Sequence, residues 1–168
     1  MTTILDTPIV ARTRRNHGLE HATINILTAS YPYRPLAGYS YTGGFFIFGD
    51  VPTDNVREAA VQALSRLNNG EAQLAIHPGC GTNYAVAGFL AGGLVWMAML
   101  GARNKREKVG RLPLALTLAT LGFIASQPLG PKVQEKVTTS ADLRSLTIVD
   151  IFPIRFGRVS IHQVLTRS

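Results

Sequence analysis

Two uncharged stretches of membrane-spanning length constrain the fold of this chain more than any other feature. They cover residues 84–102 and 112–130, and each contains 19 residues. A helix needs about 20 apolar residues to cross a hydrocarbon core about 30 Å thick. The alternative is a pair of helices buried in a globular core, but a chain of 168 residues is too short to cover both on all sides. We therefore expect a transmembrane helical hairpin.

The composition and the distribution of charge favour a membrane protein. Only 16% of the residues are charged, whereas soluble domains carry about 25%. The net charge of +7 comes from residues 103–111, with five Lys/Arg against one Asp/Glu, and from residues 131–168, with six against three. Residues 1–83 are balanced, with six of each. Basic residues beside apolar segments indicate anionic lipid headgroups, and the absence of a basic stripe interleaved with aromatics argues against nucleic acid.

A first motif, His-Gly-Leu-Glu-His, occupies residues 17–21 at the start of a predicted helix. His17 and His21 are four residues apart, so both imidazoles project from the same helix face. Two histidines at this spacing can share one metal ion, and Glu20 beside them can act as a general acid or base.

A second motif, His-Pro-Gly-Cys-Gly-Thr-Asn, occupies residues 77–83 and contains the only cysteine of the chain. Three of the four histidines and this thiol therefore lie in two short motifs. Imidazole and thiolate donors favour zinc over magnesium or calcium. We expect a zinc site, with Glu20 as the catalytic residue and with four metal ligands: His17, His21, His77 and Cys80.

The number of ligands decides what such a site does. Four protein ligands would make a closed, structural zinc site, whereas three would leave a position for water and make Glu20 a credible base. His-x-x-Glu-His also matches the inverted zincin motif of some proteases, although those enzymes usually take a distant carboxylate as the further ligand. A nucleophilic Cys80 is a third hypothesis.

The motifs also have readings that involve no metal. The first can be a solvated helix face, and residues 78–81 can simply turn the chain into the first membrane helix, with Thr82 or Asn83 as its N-cap. His162, on a predicted strand, is interpreted as an ordinary surface or core residue.

The paired motifs, at residues 17–21 and 77–82 and followed by a hydrophobic hairpin to about residue 130, resemble a group of prokaryotic membrane proteins known only as domains of unknown function. The resemblance implies that five residues belong to one site: His17, Glu20, His21, His77 and Cys80. It implies no activity, because none is established for that group.

The remaining pattern predicts an α+β domain. Its predicted elements are a lead-in over residues 1–16, a helix over 17–30 with Asn16 as N-cap, a strand over 39–48, a helix over 53–67 with Thr53 as N-cap, a short strand over 73–76, and strands over 146–152 and 158–165 joined at Pro153 and Gly157. The strand over 39–48, the helix over 53–67 and the strand over 73–76 would form a βαβ unit.

Because a hairpin returns the chain to the side from which it left, the C-terminal strands can complete the sheet begun before it. We expect a small α+β domain with an inserted two-helix transmembrane hairpin. Its parts are an N-terminal part over residues 1–83, the hairpin over 84–130 and a C-terminal β-hairpin over 131–168. Small residues at Gly88 and Gly92, with Ala115 and Ala119 opposite, would permit close packing of the hairpin or self-association.

Two features of the sequence give opposite predictions for the orientation in the membrane. The basic loop at 103–111 favours a cytoplasmic loop, whereas the absence of an apolar run in residues 1–16 predicts no signal peptide and makes export of the domain awkward. We expect an integral membrane protein with its domain on the cytoplasmic side. The functional hypothesis is a zinc-dependent hydrolase at the membrane surface. The alternative is a non-catalytic accessory subunit of a larger membrane complex, or a homo-oligomer, with a structural metal or none.

Overall fold

The computed structural model describes residues 3–156 and 159–167, with the side chains of 155, 156 and 159 left aside. The predicted positions of Gly157 and Arg158 therefore lie outside the described residues. Helices and an antiparallel sheet make up an α+β fold, as predicted. The elements are α1 (Pro8–Ser30), β1 (Ala37–Tyr41), β2 (Gly44–Phe48), α2 (Thr53–Asn68), α3 (Gly81–Met99), α4 (Lys105–Gly110), α5 (Leu112–Val133), β3 (Thr147–Phe156) and β4 (Val159–Arg167), with 3-10 turns at Ile4–Asp6 and Ala72–Ala75 and a π-helical turn at Gln134–Thr138.

Helix α1 begins nine residues earlier than predicted. Pro8 occupies its first position, where a missing N–H and a fixed φ are tolerated. The prediction of Asn16 as N-cap is wrong, because Asn16 lies inside the helix and is fully buried. Its amide donates to the carbonyls of Tyr41 (2.8 Å) and Thr42 (3.1 Å), and its Oδ1 accepts from Thr166 (2.7 Å). Its partners lie in β1, in the turn after it and in β4, where local sequence does not reveal them.

The described strands form one antiparallel sheet in the order β1-β2-β4-β3. The predicted strand at 39–48 is a hairpin, with Tyr41 paired to Gly44 across the turn. The prediction of a strand at 73–76 is wrong, because Ala72–Ala75 is a 3-10 turn. The predicted βαβ unit needed this strand and is therefore wrong as well.

The predicted chain reversal at Pro153 is also wrong, because Pro153 lies within β3 and pairs with His162. Proline is tolerated there because β3 is an edge strand, so the missing N–H interrupts no second ladder.

Helices α1 and α2 cover one face of the sheet. The fully buried residues of this core include Phe45 and Ile47 from β2, Val164 from β4, Leu19 from α1 and Val56 from α2. The predicted helix at 53–67 is confirmed, although its N-cap is Pro52 rather than Thr53. Gly70, which follows the Asn69 C-cap, has a φ of +92°, a conformation that glycine adopts at low cost.

The described chain divides into two compact units. The first unit combines the residues up to 77 with those from 135 onward, and the second unit contains residues 78–134. In the second unit α3 and α5 pack as a hairpin. Two helices are long and apolar enough to cross a membrane, Gly81–Met99 with a mean hydropathy of 1.2 and Leu112–Thr138 with 1.5. Only 11% and 17% of these windows are buried, so their apolar side chains face outward.

The close approach of the two hairpin helices is made by a glycine that the sequence pattern did not single out. A Cβ at Gly122 of α5 would lie 2.9 Å from the Ala91 backbone and 3.0 Å from that of Leu90 on α3. Gly88 and Gly92 have nothing within 4 Å of an added Cβ. The prediction that these two glycines pack the hairpin is therefore wrong, because they lie on another side of α3.

Candidate metal centre

The two histidines of the first motif lie side by side on α1. Their ring centroids are 4.3 Å apart and the rings meet edge to face. His21 is buried and His17 is partly buried. One turn of helix thus presents two imidazoles to the same point, as the spacing predicts.

Each of these imidazoles is held by a backbone carbonyl. His17 Nδ1 lies 2.9 Å from the Thr138 carbonyl oxygen, and His21 Nδ1 lies 2.8 Å from that of Ala75. A carbonyl oxygen only accepts, so the proton of each ring is on Nδ1. Nε2 then carries the lone pair with which a neutral imidazole binds metal.

His77 is oriented in the same way by an asparagine. Its Nδ1 lies 2.7 Å from Oδ1 of Asn25. The Asn25 amide nitrogen donates to the carbonyls of Leu74 and Ile76, both at 3.0 Å, which fixes Oδ1 as the acceptor. His77 therefore donates from Nδ1, and its Nε2 carries the lone pair. The ring centroids of His77 and His21 are 5.7 Å apart.

Cys80 is the N-cap of α3, a position predicted for Thr82 or Asn83. Its Sγ accepts from the backbone N–H of Thr82 at 3.4 Å, and the residue is 6% exposed. His17 and His21 on α1 and Cys80 at the start of α3 offer two imidazoles and one thiol, a group that could hold a metal ion.

The carboxylate of Glu20 is directed towards the sheet. Glu20 is 4% exposed and accepts a hydrogen bond from the Ser40 hydroxyl. A Cβ at Gly38 would collide with the same carboxylate, so the absence of a side chain on β1 makes room for it. At 100° per residue, Glu20 stands about 60° from His17 around α1. It therefore adjoins the histidine pair from the side of β1.

The glycine of the first motif has its own structural role. A Cβ at Gly18 would collide with the Ser140 carbonyl oxygen. The N–H of Ser140 donates to the Arg14 carbonyl at 2.9 Å, and the Arg14 guanidinium donates to the Thr139 carbonyl at 3.0 Å. These contacts hold residues 138–140 against α1, where Thr138 accepts from His17.

Sequence reasoning missed the residues that orient the imidazoles. Asn25 could have been found, because it lies one turn after His21 on the same helix face. Thr138 and Ala75 could not, since they contribute only backbone carbonyls from distant parts of the chain. His162 is a core residue on β4, buried to 3% exposure, and burial lowers its pKa below the usual value.

Comparisons with known proteins agree with an uncharacterised family. A domain of unknown function, DUF6391, matches residues 12–151. An uncharacterised protein of Picosynechococcus sp. (strain ATCC 27264 / PCC 7002 / PR-6) is 35% identical over 144 residues, which cover 77% of this chain and 67% of that protein. No solved structure matches the chain. The match spans both motifs, α3 and α5, and the chain belongs to the DUF6391 family.

Proposed function

We propose that the protein is an integral membrane protein that binds zinc through His17, His21 and Cys80 and hydrolyses an ester or amide bond at the membrane surface. The observation that carries the proposal is the orientation of the histidines. Nδ1 of His17, His21 and His77 donates a hydrogen bond to a fixed oxygen, at 2.9, 2.8 and 2.7 Å respectively. Nε2 of each ring then carries the lone pair that can bind a metal ion. Outer contacts of this kind are typical of metal-binding histidines.

The donor set fits zinc. Two imidazole nitrogens and one thiolate are the ligands that zinc prefers, and three protein ligands leave a fourth position for water. When bound, the ion would polarise the scissile carbonyl and lower the pKa of a water molecule. Hydrolysis adds the water oxygen to the acyl carbon, breaks its bond to the leaving oxygen or nitrogen, and returns a proton to that leaving group.

The residues of the chain have separate roles in this proposal. Glu20 would take the proton from the attacking water and deliver it to the leaving group. The Ser40 hydroxyl donates to Glu20 and so fixes the position of its carboxylate. His77 would lie beside the centre as a further ligand or as a hydrogen-bonding group.

The experiment that tests the proposal is elemental analysis of the full chain, purified in mild detergent without chelators. We expect about one zinc per chain in the wild type, and loss of zinc in His17→Ala and His21→Ala. The matched control is His162→Gln, which changes a histidine outside the group and should keep its zinc. A wild-type protein without bound metal would overturn the proposal.

A second function is favoured by burial. His21 and Cys80 are 1% and 6% exposed, as expected for a closed site in which His77 supplies a fourth ligand. The protein would then be an accessory subunit of a membrane complex, with the exposed Gly88 and Gly92 available for helix packing. Glu20→Gln separates the two functions. In a hydrolase it keeps zinc and loses zinc-dependent ester hydrolysis, whereas in an accessory subunit it changes neither metal content nor complex assembly.

A further inference from the structure

We propose that the groove between the first turns of α3 and the last turns of α5 holds one hydrocarbon chain of a lipid, with the polar end of that lipid at the Cys80 end of α3. The inference rests on the proposed function, because it names the class of substrate that a hydrolase at this place would take. All the residues that form the groove belong to the hairpin unit.

The groove exists because two close helix contacts bracket a pair of short side chains. Gly122 packs on the backbone of Ala91, and Gly130 packs on Asn83, with an added Cβ only 3.3 Å from the Asn83 Cα. Midway between these contacts, the groove is lined by Ala87 and Ser126. Their side chains are too short to fill the space that the two contacts enclose. The remaining cavity has a volume of about 280 Å³.

The lining of the groove changes from polar to apolar away from Cys80. Asn83 and Gln127 lie towards the end that Cys80 caps, whereas Phe123 lies further along the hairpin. Ala87 is seven residues beyond Cys80, about 10 Å along the helix axis at 1.5 Å per residue. The Ser126 hydroxyl donates to the Phe123 carbonyl at 2.6 Å, so its polar atom is turned to its own helix. Such a gradient matches an amphiphile whose chain points away from Cys80.

The surroundings of the groove favour a lipid over a water-soluble ligand. Tyr84 and Phe123, which flank it, are 70% and 56% exposed, on helices with the length and composition of membrane spans. In a bilayer these rings would contact acyl chains, so a hydrocarbon chain could enter from the side without crossing water. Burial of the hydrocarbon chain would be strongly favourable by transfer from water, but would contribute little by transfer from lipid. Selectivity must therefore come from the fit of the groove and from its polar end.

The test uses the full chain in phosphatidylcholine nanodiscs with a trace of lysophosphatidylcholine that carries a diazirine in its chain. After illumination, labelled peptides are mapped by mass spectrometry. We expect labelling to concentrate around Tyr84, Ala87 and Phe123, and to fall about tenfold in Ala87→Trp, whose indole fills the groove. The matched control is Phe89→Trp, at a site that is 81% exposed on the same helix and should leave labelling unchanged.

Two outcomes would overturn the inference: equal labelling around Phe89 and in the groove, or labelling that Ala87→Trp does not lower. If Ala87→Trp does not fold, Ser126→Leu replaces it in the labelling test, because its side chain fills the same space from α5. Zinc content measured on the same samples keeps the two proposals apart. Bound zinc without selective labelling removes only the lipid groove, whereas selective labelling without zinc leaves a lipid-binding groove and removes the hydrolase.

Discussion

At the scale of single residues, Gly18 shows how closely the first motif is tied to distant backbone. Gly18→Ala should favour the helix by up to about 1 kcal/mol, but its Cβ would collide with the Ser140 carbonyl, and overpacking against backbone costs about 1–3 kcal/mol. We expect a net loss of up to about 2 kcal/mol in the free energy of unfolding, with reduced zinc content because Thr138 shifts from His17.

Denaturant unfolding of Gly18→Ala, with zinc analysis of the folded protein, measures both effects. The matched control is Gly110→Ala in α4, a helical glycine with nothing within 4 Å of an added Cβ. Equal stability of the two variants would show that the contact with Ser140 does not restrict residue 18.

His162 provides a pH dependence at the same scale. Burial lowers the pKa of His162 below 6.5. Hydrogen bonds to the backbone of Val51 and Gly49 raise this pKa, but by less than burial lowers it. In the unfolded chain the imidazole takes up its proton near pH 6.5, before the folded protein does. The free energy of unfolding should therefore fall as the pH drops from 6.5 towards the lowered pKa, by up to about 1.4 kcal/mol per pH unit, and stay constant above 6.5 with respect to this group.

Urea unfolding of the wild type and of His162→Gln between about pH 5 and pH 8 tests this contribution. The two proteins differ only at residue 162, so the difference between their two pH profiles reports His162. Identical slopes would contradict the assignment.

At the scale of elements, the packing of α3 against α5 depends on Gly122. A leucine there would meet the backbone of Leu90 and Ala91 and force the helices apart. We expect Gly122→Leu to lower the melting temperature in detergent by several degrees, corresponding to about 1–3 kcal/mol of overpacking. Gly92→Leu, in open space on α3, is the matched control and should leave the melting temperature of the monomer unchanged. A fall in Gly92→Leu alone would mean that the helices pack through the other face.

At the scale of the whole molecule, zinc should stabilise the folded protein by mass action. Free zinc at 100 times its dissociation constant contributes about 2.7 kcal/mol, so removal by a chelator should lower the melting temperature of the wild type. His17→Ala should start at the lower value and not respond to the chelator. A wild-type melting temperature that is insensitive to chelator and to added zinc would contradict metal binding.

The orientation of the hairpin is a second property of the whole molecule. With the domain in the cytoplasm, a cysteine at Lys105, introduced together with Cys80→Ser, should react with an impermeant maleimide on intact cells. A cysteine at Asn55 should react only after lysis. The reverse pattern would follow the positive charge of the loop at 103–111 and place the domain outside.

The sequence by itself determined the features that depend on neighbours along the chain. Apolar runs predicted the two long helices, and the four-residue spacing of His17 and His21 predicted that their rings meet. The period of apolar residues predicted α2 within one residue. These features follow from backbone geometry and local composition, which a single sequence contains.

Only the tertiary structure decided the features whose partners are distant in the chain. Asn16 is helical and buried because its hydrogen-bond partners lie in β1, in the turn after it and in β4. Residues 72–75 form a 3-10 turn whose last carbonyl accepts from His21, 54 positions away. Gly122 rather than Gly88 makes the helix contact, because rotation of each helix about its axis is set by packing. Backbone carbonyls carry no residue identity, so the atoms that orient the histidines leave no mark in the sequence.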